Sequence, residues 1–482
     1  MEIKDRSSVI FGNVMPKKIV KKAEKKKKKY IKKFGDDSNK DYKLGFENID
    51  TLNFLNAKNI VFSDKNEQWP ENPVIVGNIR MGFGHYRISI ALASCAKALG
   101  YTPIWFDVAG FDATGSKLIR HLNHLYSMGS KLSQKSHLFN LYWEKLNSED
   151  FRKITYNVGD QKNAELLVPI YRNIPKDTPI IATHVWPSQG AIHSGMTHVV
   201  NAIPDNWPMG LHLSEGAIHT VQTPFAYFGY KMLNGFDKKP LKGMSKDDLK
   251  YVGAYIDHEL LVNLSEDNNK RIERLDNNKP IRILMTVGGA GAGFDMFLTM
   301  VKHLIPYVDS GKVALYINFG DHENVYHEML KKIKNIKHKN FNNQYEEFKN
   351  FVKEMRNEDK PGIYCICNDN LFEAVYSTNL LIPECDLLVT KPSELAYYPI
   401  PKVFMRHIGG HEVYGGIYSS QFGDGTFECP EKKEICEMLD RLISDKDLIK
   451  HMINRINSLN KEGYYNGGYE CVKLAVGKTN DK

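Results

Sequence analysis

The chain has 482 residues, of which 42% are hydrophobic and 25% charged, and its formal net charge is +8. This composition is typical of globular proteins and excludes a fibrous or wholly disordered chain. The length predicts two large domains with an extension, or about three domains. No run of about 18 apolar residues occurs, so we expect no membrane-spanning helix.

The basic excess is concentrated near the start of the chain. Residues 16–35 hold eleven lysines and one glutamate, a charge of +10, which leaves −2 for the rest of the protein. A nearly neutral body offers no broad basic face, so we expect no nucleic-acid partner. Two interpretations of the lysine segment stay open: an imperfect basic amphipathic helix, or a solvated and partly disordered charged tail. The apolar residues that fall near one helical face are Ile19, Val20, Ala23, Tyr30, Ile31 and Phe34.

The start of the chain and its cysteines indicate the cytoplasm. Residues 1–12 lack the apolar core of a signal peptide. The seven cysteines are scattered, and the one close pair, Cys365 and Cys367, lies in an apolar run typical of a buried strand. We therefore predict reduced cysteines in a cytoplasmic protein.

Residues 71–262 alternate between strands and helices, which predicts parallel strands joined by crossover helices. A strand at 73–77 leads through a glycine turn to a helix at 86–99. The further predicted elements are a strand at 102–108, mainly helical structure at 115–175, and strands at 179–184 and 197–203.

Residues 257–281 are polar and form the best linker candidate, and a second alternating series follows them. It opens with a strand at 281–287, a glycine turn and a helix at 294–305. The later predicted elements are strands at 312–318, 362–367 and 386–390, a helix after Asp321, and closing helices within 431–475.

Each series therefore begins with a strand, a glycine turn and a helix. The turns contain Gly82 and Gly84 in the first series, and Gly289 and Gly291 in the second. The backbone N–H groups of such a turn, together with the positive end of the helix dipole, can bind an anion. Neither turn has the third glycine of the dinucleotide fingerprint, and no P-loop pattern occurs.

Five segments between residues 72 and 430 resemble glycosyltransferases of GT-B architecture. The chain is most similar to the group of the lipid-intermediate N-acetylglucosaminyltransferase of peptidoglycan synthesis and the monogalactosyldiacylglycerol synthases. The five segments are NIRMGFGHYRISIALASCAKAL from Asn78; Thr183-His184 with VVNAIPDNWP through HTVQTPFAYFGYKML; KYVGAYI from Lys250; IRILMTVGGAGAG from Ile281; and ECDLLVTKPSELAYYPIPKVFMRHIGGHE from Glu384. The family's glycine after Lys391 is absent, and Pro204-Asp205 stands where the family has Thr-Asp.

The resemblance implies an α/β, GT-B-like fold of two Rossmann-like domains, with parallel sheets that face a central cleft. The predicted domains are a basic N-terminal extension at 1–70, an acceptor domain at 71–262, a linker at 263–280, a nucleotide-sugar domain at 281–460, and a C-terminal helix or tail at 461–482.

The resemblance also implies the reaction, an inverting and metal-independent transfer of a hexosyl group from a nucleotide-diphosphate sugar. We expect a UDP-sugar as co-substrate, no cofactor, and a membrane-associated lipid or glycolipid as acceptor. The lysines of residues 16–34 would hold the protein at an anionic membrane, peripheral at its inner face.

The resemblance places candidate residues on both sides of the reaction. His85 or Asp205 would be the base for the acceptor hydroxyl, with Gly82, Gly84 and Arg87 in the same acceptor loop. Alternatively His85 caps the turn, Asp205 forms an Asx-turn, and Arg87 faces solvent. On the donor side, the reaction needs a backbone that can approach the diphosphate closely and a point charge for the phosphate. It also needs oxygen atoms that accept hydrogen bonds from hydroxyl groups. The candidates for these roles are Gly289, Gly291, Lys391, Ser393, Glu394, Gly410, His411 and Glu412.

Two other functions are compatible with the same architecture. The altered loop after Lys391 permits a non-catalytic nucleotide-sugar-binding scaffold. A nucleotide-sugar 2-epimerase shares the two-domain architecture, although the loop from Gly82 to His85 favours transfer.

Overall fold

The computed structural model describes residues 4–80, 82–135, 139, 142–143, 145–288 and 293–477. The chain divides into two units, one formed by Met1–His258 with Asn466–Lys482 and the other by Glu259–Tyr465. Each unit has its own sheet and its own apolar core. Across the described part of the chain, no helix is long and apolar enough to cross a bilayer.

The first unit is built on a sheet that, within the described residues, has eight strands in the order β10-β9-β8-β7-β5-β6-β4-β3. All neighbours are parallel except β3 and β4, which are antiparallel. A short antiparallel pair, β1 and β2, lies outside it. The strands are β1 Val9–Ile10, β2 Asn13–Val14, β3 Lys43–Asn48, β4 Lys58–Ser63, β5 Pro73–Asn78, β6 Thr102–Asp107, β7 Ile180–Ala182, β8 Val199–Ala202, β9 Ile218–Val221 and β10 Leu249–Tyr251.

Helices cover the first sheet, so its central strands are buried on both faces. Val74, Ile75 and Val76 of β5 have no exposed surface, as expected of a continuous apolar run in a parallel sheet. The helices are α1 Lys17–Phe34, α2 Phe83–Ala98, α3 Thr114–Lys135, α4 Ile154–Ala164, α5 Val168–Tyr171, α6 Val185–His193 and α7 Pro224–Met232.

The second unit is built on a parallel sheet that, in the residues described, has seven strands in the order β13-β14-β12-β11-β15-β16-β17. The strands are β11 Ile281–Thr286, β12 Val313–Asn318, β13 Lys339–Asn342, β14 Gly362–Cys367, β15 Leu387–Thr390, β16 Lys402–Met405 and β17 Gly425–Cys429. The helices are α8 His258–Leu261, α9 Leu264–Asp276, α10 Phe294–Asp309, α11 Glu323–Lys332, α12 Tyr345–Met355, α13 Leu371–Leu381, α14 Val413–Phe422, α15 Lys432–Ser444 and α16 Lys446–Lys461.

A last helix, α17 (Gly467–Ala475), returns to the first unit. The hydroxyl of Tyr469 lies 2.6 Å from Nδ1 of His258, and Sγ of Cys471 lies 3.2 Å from Oγ1 of Thr220 in β9. The first unit is therefore discontinuous in sequence.

The predicted α/β class, with two successive Rossmann-like domains and mainly parallel sheets, is confirmed. The predicted cleft stays a prediction. Two local expectations were wrong. Residues 1–70, expected to be irregular outside the lysine segment, supply β3 and β4 to the first sheet, where Tyr42 stacks on Phe62. The segment 263–280, predicted as a linker, holds α9, because its buried Arg271 donates a hydrogen bond to the carbonyl oxygen of Cys385.

The lysine segment forms α1, an 18-residue helix docked on the first unit. Ala23 is buried, and Ile19 and Val20 pack against apolar residues of this unit. Lys27, which lies on the same helical face as these apolar residues, forms an ion pair with Glu165. The helix interpretation is therefore confirmed, and the apolar face is covered by the protein itself.

Candidate functional site

The first candidate site lies where the strand order of the first sheet reverses. The chain runs from β5 to β6 on one side and then crosses to β7 on the other side of β5. In open α/β sheets, ligands bind outside the carboxyl ends of the strands at such a switch point. The loop after β5 contains Gly82, and the residues directly after β7 are Thr183 and His184.

Gly82 determines how the chain enters α2. Its φ is 93°, a conformation that L side chains adopt rarely, and it stands at the N-cap of the helix. Gly84 and His85 then lie in the first turn of α2. The Nδ1 atom of His85 is 2.7 Å from the carbonyl oxygen of Thr183, so the ring spans the two loops of the switch point.

The contact with Thr183 fixes the tautomer of His85. A carbonyl oxygen only accepts hydrogen bonds, so Nδ1 is the protonated nitrogen. In the neutral ring, Nε2 then carries the lone pair. This arrangement gives His85 a basic nitrogen while the other nitrogen holds the ring in place.

Two further histidines, neither of them among the residues predicted from the sequence, lie near these residues. The ring of His184 is 5.0 Å from that of His85, edge to face. Nε2 of His212 lies 3.0 Å from Oδ2 of Asp205. Burial lowers the pKa of His184 well below its usual value, and the nearby His85 and His212 lower it further. His184 is therefore a neutral ring next to His85.

His184 could have been found from the sequence, because it is the last residue of a predicted strand. His212 lies in a short helical turn between β8 and β9, and no pattern in the sequence marks it.

Of the two environments predicted for Arg87, the acceptor loop and solvent, the structure excludes solvent. Arg87 is buried, with 3% of its surface exposed, so the solvent-facing interpretation was wrong. It lies one turn into α2, and the helix face that carries it packs against the rest of the unit because α2 is apolar over most of its circumference.

The second candidate site lies at the equivalent point of the second sheet. β11 is flanked by β12 and β15, and the strand order reverses there. The hydroxyl of Thr286, the last residue of β11, donates to the hydroxyl of Thr390, the last residue of β15, over 3.0 Å. The loop after β11 contains Gly288 as its second residue, and the loop after β15 begins with Lys391.

Lys391 lies across the start of the glycine turn. A Cβ atom on Gly288 would come within 2.9 Å of Cε of Lys391, so the lysine side chain would have to shift if residue 288 were larger than glycine. Gly289 and Gly291, the predicted donor-binding glycines, lie outside the described residues.

Lys391 forms an ion pair with Glu412, another of the residues predicted to bind the donor. The Glu412 carboxylate also accepts a hydrogen bond of 2.9 Å from the backbone of Ile408. Burial by itself would raise the pKa of Glu412, but Lys391 and His411 outweigh it, so the pKa is lowered. The carboxylate is therefore ionised and only 9% exposed beside the lysine.

The loop that follows Lys391 is held against α14. A Cβ atom on Gly415 would lie 2.6 Å from the carbonyl oxygen of Pro392, so the helix approaches the loop as closely as glycine permits. Within this loop, the backbone N–H of Ser393 donates to the carbonyl of Lys391 over 2.8 Å. Glu394 begins a single helical turn and is partly exposed.

Gly410 and His411 lie between β16 and α14, in the segment that leads to Glu412. Both are partly exposed. The imidazole of His411 packs against Gly409, where a Cβ atom would come within 2.6 Å of the ring. The structure thus brings Lys391, His411 and Glu412 together at one edge of the second sheet.

Among the described residues, no group of three or more His, Cys, Asp or Glu side chains is arranged to hold a metal ion. Metal independence stays a prediction.

Comparison with known proteins gives two family matches. The domain of unknown function DUF6937 matches residues 9–232, and the domain of unknown function DUF6938 matches residues 244–476. A search of curated proteins found no match.

Several solved structures are similar to the chain at low identity. The S. aureus MnaA–UDP co-structure is 13% identical with a TM-score of 0.46, over 85% of this chain and 98% of that chain. The UDP-GlcNAc 2-epimerase from Neisseria meningitidis bound to UDP-GlcNAc is 11% identical with a TM-score of 0.43, over 83% and 99%. A glycosyltransferase from Rickettsia africae is 13% identical with a TM-score of 0.38, over 85% and 100%.

Proposed function

We propose that the protein transfers a hexosyl group from a nucleotide-diphosphate sugar, expected to be a UDP-sugar, to an acceptor hydroxyl with inversion. The observation that carries the proposal is the position of Lys391. Its side chain crosses Gly288 at the strand ends where the order of the second sheet reverses. A cation beside a glycine turn at a switch point is suited to a diphosphate.

The donor side needs charge for the diphosphate and oxygen atoms for the sugar. Lys391 supplies a point charge, and Glu412 holds it over the turn. Glu394 begins the short helical turn after this loop. Its carboxylate would accept hydrogen bonds from vicinal hydroxyl groups of the ribose or the sugar.

The acceptor side needs a base within reach of a hydroxyl proton. With Nδ1 of His85 directed at the carbonyl of Thr183, the neutral ring has its lone pair on Nε2. A base of this kind typically contributes about 10²–10⁴-fold to a rate. Asp205, 3.0 Å from His212, is the alternative base in the same unit.

We further propose a lipid or glycolipid acceptor at an anionic membrane, with the protein peripheral at its inner face. The support is the charge of α1, whose lysines point mainly outwards while its apolar face is covered. Each basic residue near an anionic bilayer contributes about 1 kcal/mol.

The first experiment is a thermal-shift screen against UDP, GDP, ADP and their sugars. A ligand that binds only the folded protein raises its melting temperature. We expect the largest shift with UDP or a UDP-sugar, and a smaller one in the Glu394→Ala variant. If no nucleotide shifts the melting temperature, the proposal fails.

The second experiment follows the product. Wild-type protein incubated with the bound UDP-sugar and a lipid extract as acceptor, or with water as a slow substitute acceptor, should release UDP, and the His85→Ala variant should release it far more slowly. Binding without UDP release would instead identify a scaffold. A product epimerised at C2 would identify an epimerase.

A further inference from the structure

Helix α3 exposes an apolar stripe that nothing in the proposed reaction uses. Leu125, Met128 and Leu132 have 48%, 54% and 48% of their surfaces exposed. Their spacing of three and four residues places them on one face of the helix. Scattered exposed apolar residues are normal, but an aligned stripe on one helix indicates an interaction surface.

The stripe lies on the same face of α3 as the residue that contacts the lysine helix. His121 stands four residues before Leu125, on the same helical face. The ring of Phe34, the last residue of α1, is 5.6 Å from that of His121, and Nζ of Lys33 is 3.2 Å from its Nε2. Helix α1 therefore covers the stripe as far as His121, and the stripe is open beyond it.

The lysine helix contributes charge to this surface and no apolar residues. Its own apolar face packs on the first unit, and Lys27 is paired with Glu165. The other lysines of the helix are exposed: Lys17, Lys18, Lys21, Lys22, Lys25, Lys26, Lys28, Lys29, Lys32 and Lys33. An exposed basic face next to an exposed apolar stripe is complementary to an anionic bilayer, where lysines meet headgroups and apolar side chains enter the acyl boundary.

We infer that the exposed lysines of α1 and the stripe Leu125–Met128–Leu132 of α3 form one surface, the α1–α3 surface, which docks on an anionic lipid bilayer. The lysines attract the protein to the headgroups, and the stripe inserts below them. This deepens the proposed function, because it specifies how the protein reaches a lipid acceptor.

The position of the stripe also relates it to the acceptor site of the first unit. The side-chain amide of Asn123 in α3 donates a hydrogen bond of 2.7 Å to the carbonyl oxygen of Arg80, in the loop between β5 and α2. That loop leads to Gly82 and His85. Asn123 stands two residues before Leu125 and so on the opposite face of α3, which places the helix itself between this loop and the stripe.

The test is co-sedimentation with vesicles of phosphatidylcholine alone or mixed with phosphatidylglycerol. We expect binding only to the mixed vesicles, and weaker binding at about 1 M salt, where charges are screened over about 3 Å. The triple variant Lys25→Glu, Lys28→Glu, Lys32→Glu should bind at least about tenfold more weakly. The triple variant Leu125→Ser, Met128→Ser, Leu132→Ser should also bind about tenfold more weakly.

Matched controls come from the second unit. Lys331, Lys332 and Lys334 are exposed, and their replacement by glutamate changes the net charge by the same amount. Val262, Phe427 and Leu448 are exposed apolar residues, at 61%, 64% and 43%, and their replacement by serine matches the stripe variant. Both control proteins should bind vesicles as the wild type does.

A fluorescent probe tests insertion directly. All seven native cysteines are buried, so an environment-sensitive thiol dye labels an introduced surface cysteine. A dye on Met128→Cys should shift to the blue with mixed vesicles, and a dye on Phe427→Cys should not.

Three results would overturn the inference. They are no binding of the wild type to mixed vesicles, unchanged binding of both surface variants, and binding to an acidic protein or a nucleic acid in place of vesicles. Because neither surface variant alters Lys391 or its loop, both should keep the UDP-dependent thermal shift. Loss of vesicle binding with that shift retained separates this inference from the proposed function.

Discussion

Single side chains decide what the two switch points can bind. Lys391 carries the positive charge of the second unit's site, yet Glu412 is already paired with it. A bound diphosphate would therefore share Lys391 with this carboxylate or displace the carboxylate from it. His85 in the first unit is held by a backbone carbonyl, which leaves its other nitrogen basic.

Replacing Lys391 by methionine should weaken UDP binding about tenfold, because a point charge next to a phosphate is removed while the aliphatic chain over Gly288 is kept. Isothermal titration with UDP measures the effect. Lys353→Met, on the exposed face of α12, is the control and should bind UDP normally. Equal affinities in both variants would remove Lys391 from the donor site.

Replacing His85 by alanine should lower the rate of sugar transfer about 10²–10⁴-fold with little change in UDP affinity, since the proposed role is proton transfer on the acceptor side. Steady-state kinetics of UDP release give kcat and KM separately. The exposed His451→Ala is the matched control. A loss confined to UDP affinity would argue against a base at this position.

At the scale of elements, the close packing of α14 against the loop after β15 determines where this loop lies in the second site. Helix α14 reaches Pro392 only because residue 415 is glycine. The sequence shows the strand and the loop, but this packing depends on contacts between residues more than twenty positions apart.

Gly415→Ala should destabilise the second unit by about 1–3 kcal/mol, because the added methyl group meets the carbonyl oxygen of Pro392. It should also weaken UDP binding by displacing the loop. Gly159→Ala in α4 is the control: a Cβ atom there meets nothing within 4 Å, so the helix should be unchanged or stabilised by about 0.5–1 kcal/mol. Thermal unfolding of both variants makes the comparison.

Buried histidine makes the first unit sensitive to acid. Burial lowers the pKa of His193 from 6.5 to about 4, and the nearby Arg6 and Lys162 act in the same direction. Between these values the unfolded state binds more protons, so this residue's contribution to the free energy of unfolding falls as the pH falls from 6.5 to about 4. That contribution changes by roughly 3 kcal/mol across the window.

The comparison of His193→Gln with wild type isolates this residue from other titrating groups. Glutamine cannot titrate, so the variant should lose less stability than the wild type between pH 7 and pH 4. Its melting temperature relative to wild type should therefore rise as the pH falls. His451→Gln, which changes an exposed histidine in the same way, is the matched control.

Most elements could be predicted from the sequence, because buried parallel strands are continuous apolar runs between glycine turns. β5, β11 and β15 follow this rule. β3 and β4 do not follow this rule, since they pair at the edge of the first sheet and depend on aromatic contacts such as that of Tyr42 with Phe62. Helix α9 was missed because its polar sequence includes a buried arginine, Arg271, two of whose hydrogen-bond partners lie over 100 residues away.

The candidate site was predictable in part. His85, which follows a glycine turn, and Lys391, which directly follows a strand, stand out because these neighbouring features mark them. The pairing of Lys391 with Glu412 and of Asp205 with His212 was not predictable, because it depends on the conformations of the loops after β16 and β8.

On the scale of the whole molecule, the first unit is completed by α17, which follows the second unit in the sequence. In the first unit, α17 contacts His258 through Tyr469 and β9 through Cys471. Its removal should therefore loosen one unit and spare the other.

Deleting residues 466–482 should reduce hydrogen-exchange protection in β7, β8 and β9, which lie in the first unit with α17. Protection in β11 and β15 should stay unchanged, because their sheet belongs to the second unit. Exchange followed by mass spectrometry reads both sheets in one experiment. Equal loss in the two sheets would show that α17 stabilises the whole chain.

The central claim is that a nucleotide diphosphate binds at the switch point of the second sheet. Hydrogen exchange with and without saturating UDP tests it most directly. We expect slower exchange in the peptides that contain Gly288 and Lys391–Glu394, and clearly less slowing there in the Lys391→Met variant at the same UDP concentration. Protection by UDP elsewhere in the chain, with these two loops unaffected, would contradict it.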